Sequence, residues 1–193
     1  MTLPPWRSHL AAALHRNRSL PNSRYLQLAT VRADGRPANR TVVFRGFADN
    51  SNCLKFVTDL RSEKIAQIAR NPRGEACWYF PKTREQFRLS GELRVIGDES
   101  GDRDLDALRH KAWQELSDRA KPQFFWPEPG EERSPASAFE PPDPIPEKAP
   151  SLFALLLLQP EWVDHLRLRG EPQDRIIYTC RADGTWRDRA VNP

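Results

Sequence analysis

Cysteine is scarce in this 193-residue chain, and its three copies, Cys53, Cys77 and Cys180, stand far apart. They are odd in number and form no CxxC pair, so neither a zinc site nor a disulfide framework is expected. The simplest expectation is three reduced, mostly buried thiols in a cytoplasmic protein. Histidine is also sparse. His9, His15, His110 and His165 form neither HExxH nor a close ligand pair, and no metal site is expected. Long apolar runs are missing too. The longest, Leu152–Leu158, has seven residues, too few for a membrane-spanning helix. The N-terminal segment has no apolar stretch with a small-residue cleavage site, so no signal peptide is expected. No GxGxxG occurs and strands do not alternate regularly with helices, which argues against a doubly wound dinucleotide-binding domain. The charge is not blocked. Thirty Lys+Arg against 26 Asp+Glu give +4, but the basic residues are dispersed among acids, so no nucleic-acid partner is expected.

What the chain does have is a series of strand-like segments. Trp6 to about Arg18 has helical spacing, with Trp6, Leu10, Ala13 and Leu14 on one side. Arg24–Arg32 and Asn39–Phe47 flank the turn signal Asp34-Gly35-Arg36-Pro37 and read as a hairpin. Cys53–Thr58 is a third strand. Ser62–Arg70 is a short helix stopped by Asn71-Pro72. Gly74–Phe80 and Glu85–Ile96 are two further strands. Asp102–Leu116 is the most regular helix, with acidic residues in its first turn. The stretch 121–150 holds nine of the eighteen prolines and cannot be regular structure. Its start, Phe124-Phe125-Trp126-Pro127, predicts a segment packed against something. Leu152–Leu158, Trp162–Leu168, Asp174–Cys180 and Thr185–Val191 read as four more strands. Many hairpin-connected strands with few helices predict a mainly β, antiparallel barrel or sandwich, in one domain over 1–193.

Three short stretches can carry chemistry. In Asn39-Arg40-Thr41-Val42-Val43-Phe44-Arg45, two arginines bracket an apolar strand, which could equally be a barrel strand with charged ends. In Phe56-Val57-Thr58-Asp59-Leu60-Arg61-Ser62-Glu63-Lys64, a strand ends just before a helix begins. A helix start offers unpaired N–H groups, and Thr58, Ser62 and Lys64 could complete a phosphate site, or simply cap the helix. Gln86, early in a strand, can donate and accept at once, which suits a heterocycle edge.

The order and spacing of these stretches resemble the pyridoxamine 5′-phosphate oxidase-like FMN-binding split barrels, from about Tyr25 to Pro193. The closing Gln173-Asp174-Arg175, Tyr178, Trp186 and Pro193 look like that family's tail. Phe125-Trp126-Pro127-x-Pro129-Gly130 is similar to a sparsely characterised subgroup. The resemblance implies an antiparallel, Greek-key-like split β-barrel with peripheral helices. It implies a homodimer with FMN in a cleft between the subunits, and a small-molecule substrate. Arg40 and Lys64 would pair with the FMN phosphate, with Val57, Thr58 and Ser62 close by. Backbone groups at Val42 and Val43 would meet the polar edge of the flavin ring, and Thr41 is counted among the cofactor-binding residues. Gln86 would bond that edge, and Arg175 would sit near the ring or the partner's rim. Trp126 and the proline-rich segment would line the pocket of the other subunit. Arg45 would serve cofactor or substrate.

The chain also departs from the family's oxidases. They carry Lys where Arg45 stands, Tyr at Val57 and Arg at Glu63. Their substrate-gripping Arg-x-His-Asp-Arg here reads Glu171-Pro172-Gln173-Asp174-Arg175, so only Asp-Arg remains. Their flavin-flanking Trp falls near Leu166, and a late Arg at Ala190. The resemblance thus implies an FMN-dependent oxidoreductase with hydride transfer at flavin N5, not a true pyridoxamine phosphate oxidase. A non-catalytic flavin- or haem-binding module shares the same cofactor residues.

Overall fold

The computed structural model describes residues 3–98 and 100–193. Leucine-rich Phe153–Arg167, the sixth strand (β6), is its spine. Alternate residues of a strand face opposite sides, and here both sides are buried. Leu156 and Leu158 enter one apolar core, while Phe153, Leu155 and Leu157 enter another. The first core is the barrel interior, shared with Leu26, Leu28, Phe56, Trp78, Phe87 and Leu89.

The other strands are β1 (Tyr25–Val31), β2 (Pro37–Val43), β3 (Leu54–Asp59), β4 (Arg73–Phe80), β5 (Glu85–Ile96), β7 (Asp174–Cys180) and β8 (Trp186–Val191). They run in the order β2-β1-β4-β5-β6-β7-β8, all antiparallel, and β3 pairs with the first half of β6. Six strands, β2-β1-β4-β5-β6-β3, therefore wrap around the first core, and the β7–β8 hairpin branches from the second half of β6. The β-rich, antiparallel expectation holds.

Closure of this barrel is incomplete. Arg45 N donates to Lys55 O and Lys55 N to Gly46 O, at 2.8 Å each, and Phe47 bridges Leu54. Before Arg45, β2 has no ladder partner on the β3 side among the described residues. The barrel is split there.

Three helices decorate the sheet. Helix α1 (Pro5–Asn17) buries Trp6, Leu10 and Ala13. Its last residue, Asn17, accepts from Lys82 N and donates to Thr83 Oγ1, which ties α1 to the β4–β5 turn. Helix α2 (Glu63–Arg70) crosses from β3 to β4. Helix α3 (Arg103–Gln114) starts on Asp102, whose side chain accepts from the Asp104 and Leu105 N–H groups. It builds the second core with Trp113 against Phe124 and Phe153.

Two sequence expectations are corrected. Leu152–Leu158 and Trp162–Leu168 are one strand, not two. A bulge at Ser90/Gly91 keeps β5 paired along the whole length of β6, and Pro160 falls opposite Gly91, between the β3-paired and β7-paired halves. A bulge is where a strand tolerates proline. The three cysteines are half-buried rather than buried.

Gly91 is required by close approach. A Cβ there would clash with the Gln159 carbonyl oxygen. Gly91→Ala should destabilise the fold by about 1–3 kcal/mol, the usual cost of forcing atoms into a packed site, read as a lower urea midpoint.

Candidate functional site

The split opens into a cleft of about 500 Å³. One wall is β2, a second is the end of β3 and the start of α2, and a third is the segment Gln123–Ser134 with Phe139. Ten of the twelve residues proposed from sequence line it: Arg40, Thr41, Val42, Val43, Arg45, Val57, Thr58, Ser62, Lys64 and Trp126.

The β2 wall is an exposed ladder edge. Phe44 N donates to Arg24 O, and Arg32 N to Arg36 O, at the two ends of the β1–β2 pairing. Antiparallel pairs alternate between bonded and non-bonded, so Arg40 and Val42 bond to β1. The backbone N–H and C=O of Thr41 and Val43 therefore turn toward the cleft, whereas those of Val42, expected at the flavin edge, are spent on β1. A planar heterocycle with donors and acceptors on its rim can complete such an edge.

At one end three polar side chains converge. Lys64 Nζ donates to Thr58 Oγ1 at 2.9 Å and also to Ser62 Oγ. Ser62 is the N-cap of α2, but its hydroxyl makes no cap bond, so the helix's opening N–H groups keep no side-chain partner. Burial pushes the Lys64 ammonium below the ordinary lysine range, and the Arg40 charge pushes it the same way. Burial lowers Arg40 as well. Two cations held together, beside a helix start and two hydroxyls, form a site complementary to a dianion.

Arg40 is held by groups the sequence did not reveal. Its Nη1 donates to the Leu28 and Ala38 carbonyls, both at 3.1 Å, and to Thr30 Oγ1 at 2.6 Å. Its Nη2 reaches Gln67 Oε1 at 3.1 Å. Gln67 also accepts from Thr30 at 2.6 Å and donates to Glu63 at 2.7 Å. The only sequence signal was Glu63 and Gln67 at i, i+4 on one helix face. At the other end, Arg45 Nε is buried with no partner among the described residues. Burial and then the Arg24 charge lower its pKa.

The third wall is latched in place. Asp59 takes Arg61 in a two-pronged pair, at 3.0 and 2.6 Å, and Arg61 Nη2 also donates to the Trp126 carbonyl at 3.0 Å. Phe124, 3% exposed, anchors the strap in the second core, while Trp126 stays 43% exposed over the cleft. Phe124 and Phe125 thus pack as their sequence suggested. The strap was expected to line the other subunit's pocket, yet here it lines the cleft of its own chain.

Gln86 and Arg175 are not in this cleft. Both pair with Leu166, and directly paired residues share a face, so they lie in one row across β5, β6 and β7. It is the outer face, with exposed Tyr79 opposite Gln86. Arg175 grips the buried Asp164 carboxylate at 3.0 and 2.7 Å, and that bond raises its pKa.

Fold and cleft together define a split barrel with a cleft suited to a phosphate-bearing planar heterocycle. Residues 3–97 match the family model for the pyridoxamine 5′-phosphate oxidase FMN-binding domain. A protein of Arabidopsis thaliana named pyridoxine/pyridoxamine 5′-phosphate oxidase 2 is 41% identical over 98% of this chain and 97% of its own length. A pyridoxine/pyridoxamine 5′-phosphate oxidase of Cupriavidus pinatubonensis is 29% identical over 90% of this chain and 81% of its own. Among solved structures, a pyridoxamine 5′-phosphate oxidase-related, FMN-binding protein from Nostoc punctiforme superimposes with a TM-score of 0.96. It is 54% identical, with 100% of both chains covered. PhzG from Burkholderia lata, at 18% identity and TM-score 0.80, shows the same fold. The chain belongs to the pyridoxamine 5′-phosphate oxidase family of FMN-binding proteins, and its cofactor is FMN.

The Gln67 network predicts a stability effect that needs no ligand. Gln67→Ala leaves Thr30 and Arg40 each short of a buried partner. It should cost about 1–3 kcal/mol by urea denaturation of the FMN-free protein.

Proposed function

We propose that this protein is a homodimeric, FMN-dependent oxidoreductase. The observation that carries the reading is the convergence of Arg40, Thr58, Ser62 and Lys64 beside the open edge of β2, in a chain of an FMN-binding family. Arg40 and Lys64 would hold the phosphate, with the two hydroxyls and the α2 start completing its shell. The Thr41 and Val43 backbone would meet the polar rim of the ring. The unpartnered Arg45 Nε suits the same rim, where a fixed positive charge stabilises negative charge arriving on reduction. Val57 and Trp126 would close the apolar sides. When bound, FMN supplies hydride chemistry at N5, and the protein's part is to orient a substrate and exclude water.

Gln86 and Arg175 enter this reading through a second copy. Their row, with Leu166 and Tyr79, is an outer sheet face, and a two-fold dimer would bring such a face to the partner's cleft. Light scattering at the dimer mass is expected. A monomer that still binds FMN fully would remove both residues from the site. The absence of a helix long and apolar enough to cross a membrane, among the described residues, is compatible with a cytoplasmic location. We adopt that location on the strength of the free thiols.

Oxidation of pyridoxine or pyridoxamine 5′-phosphate is the competing reading, favoured by the name of the Arabidopsis relative. Glu171 and Gln173 stand against it, because a carboxylate and an amide replace the family's cationic grip on the substrate phosphate. Incubation with pyridoxine 5′-phosphate under oxygen is expected to give little pyridoxal 5′-phosphate. Efficient formation would reverse this choice.

Two binding measurements test the cofactor assignment. Arg40→Ala and Lys64→Ala should each weaken FMN by about 1–3 kcal/mol, the worth of a charge-assisted bond, and leave riboflavin, which lacks the phosphate, little changed. The pH dependence follows from Lys64. A bound dianion favours its charged form, whereas the free protein loses that proton below the ordinary lysine range. FMN affinity relative to riboflavin should therefore fall as pH rises through that lowered pKa, and Lys64→Met should abolish the fall. A pH-independent ratio in the unmodified protein would move the phosphate elsewhere.

A further inference from the structure

The strap gives the cleft a charge asymmetry that bears on what lies over the flavin. Glu128, Glu131 and Glu132 line the same cavity as Arg40, Lys64 and Trp126. The cations and acids of the cleft are already partly committed. Arg61 is held by Asp59 in their two-pronged pair and its charge also faces Glu128, which leaves Glu131 and Glu132 as the less committed carboxylates. Arg40 and Lys64 belong to the phosphate, and Arg45, on the β2 wall, to the ring edge. Within Gln123–Ser134 the one basic residue is Arg133, and its guanidinium lies 4.3 Å above the Phe139 ring. Phe139 in turn meets Trp126 edge-on, with centroids 5.9 Å apart. An exposed indole beside carboxylates attracts a flat cation, through the ring face and through charge together. The same carboxylates repel a second phosphate, and the repulsion grows as water is excluded.

Resting on the FMN reading above, we propose that the strap makes this cleft select a planar, positively charged partner without a phosphate. The substrate class is then a heteroaromatic cation, and Glu128, Glu131, Glu132 and Trp126 are its specificity determinants.

The test uses a pair of probes with one ring and opposite charges, 1-methylnicotinamide (a cation) and nicotinate (an anion). Each is titrated into the oxidised FMN-loaded dimer. Binding is read by calorimetry and by the change in the bound-flavin spectrum, neither of which needs turnover. The cation should bind at least tenfold more tightly. Raising salt to about 0.5 M should shrink that ratio, because exposed charges are screened. The triple variant Glu128→Gln/Glu131→Gln/Glu132→Gln should bring it near one while keeping FMN affinity. Trp126→Ala should weaken the cation more than the anion. Equal binding, no binding of either probe, tighter binding of nicotinate, or a ratio unmoved by the triple variant would each overturn the proposal. A protein that takes up no FMN has no flavin spectrum to perturb, and that result would instead overturn the cofactor reading.

Discussion

A strand edge that stops pairing is the constraint on which the rest depends. β2 and β3 are joined at Arg45–Lys55 and diverge before it, so one side of β2 carries backbone groups that no strand satisfies. Bare edges invite aggregation and are normally covered or charged. Here the divergence is propped. Gln67, on α2, sits between Thr30 on β1 and Arg40 on β2, and its hydrogen bonds fix the spacing between the helix and the strand pair. Since α2 starts at the end of β3, the same prop places Thr58, Ser62 and Lys64 across from the open edge. The cleft is therefore a consequence of barrel closure failing at one defined point.

The strap is the second consequence. An opening lined by backbone groups and two destabilised cations needs a cover, and 121–150 supplies part of one. Proline explains why the cover is irregular, since nine prolines remove nine N–H donors from any ladder. Order comes instead from the anchors. Phe124 enters the core made by Trp113 and Phe153, and Arg61 holds the Trp126 carbonyl. The second core thus does more than extend the fold. It fixes the strap's root at Phe124, two residues before Trp126 overhangs the cleft.

Much of this was legible in the sequence. Alternation and turn residues gave the β1–β2 hairpin, and β-formers bounded by a helix signal gave β3 and α2. The spacing Thr58, Ser62, Lys64 was readable because a strand end, a cap and a first helical turn are all local. What was not readable depends on pairing between distant segments. The single strand β6 looked like two because Pro160 reads locally as a break, and only its position opposite Gly91 shows that the ladder continues. Gln67 carries no local signal of its own, and its role needs Thr30 and Arg40, which lie 37 and 27 residues away. The bond from Arg61 to Trp126 spans 65 residues. Gln86 and Arg175 show the converse. Their motif positions pointed to a cofactor, but the geometry of one chain sets them on an outer face, where Arg175 balances the buried Asp164.

The electrostatics differ between the two ends of one small cleft. Lys64 and Arg40 each lose hydration and repel each other, so the free cleft holds charge at a cost. A dianion removes both penalties at once, because it restores a counter-charge to each cation and satisfies the hydroxyls beside them. That relief is specific to the end of the cleft at Ser62. At the strap the dominant charges are carboxylates in wetter surroundings, where an anion gains nothing comparable. On the proposed reading, one phosphate would be held at the Ser62 end and a second discouraged at the strap.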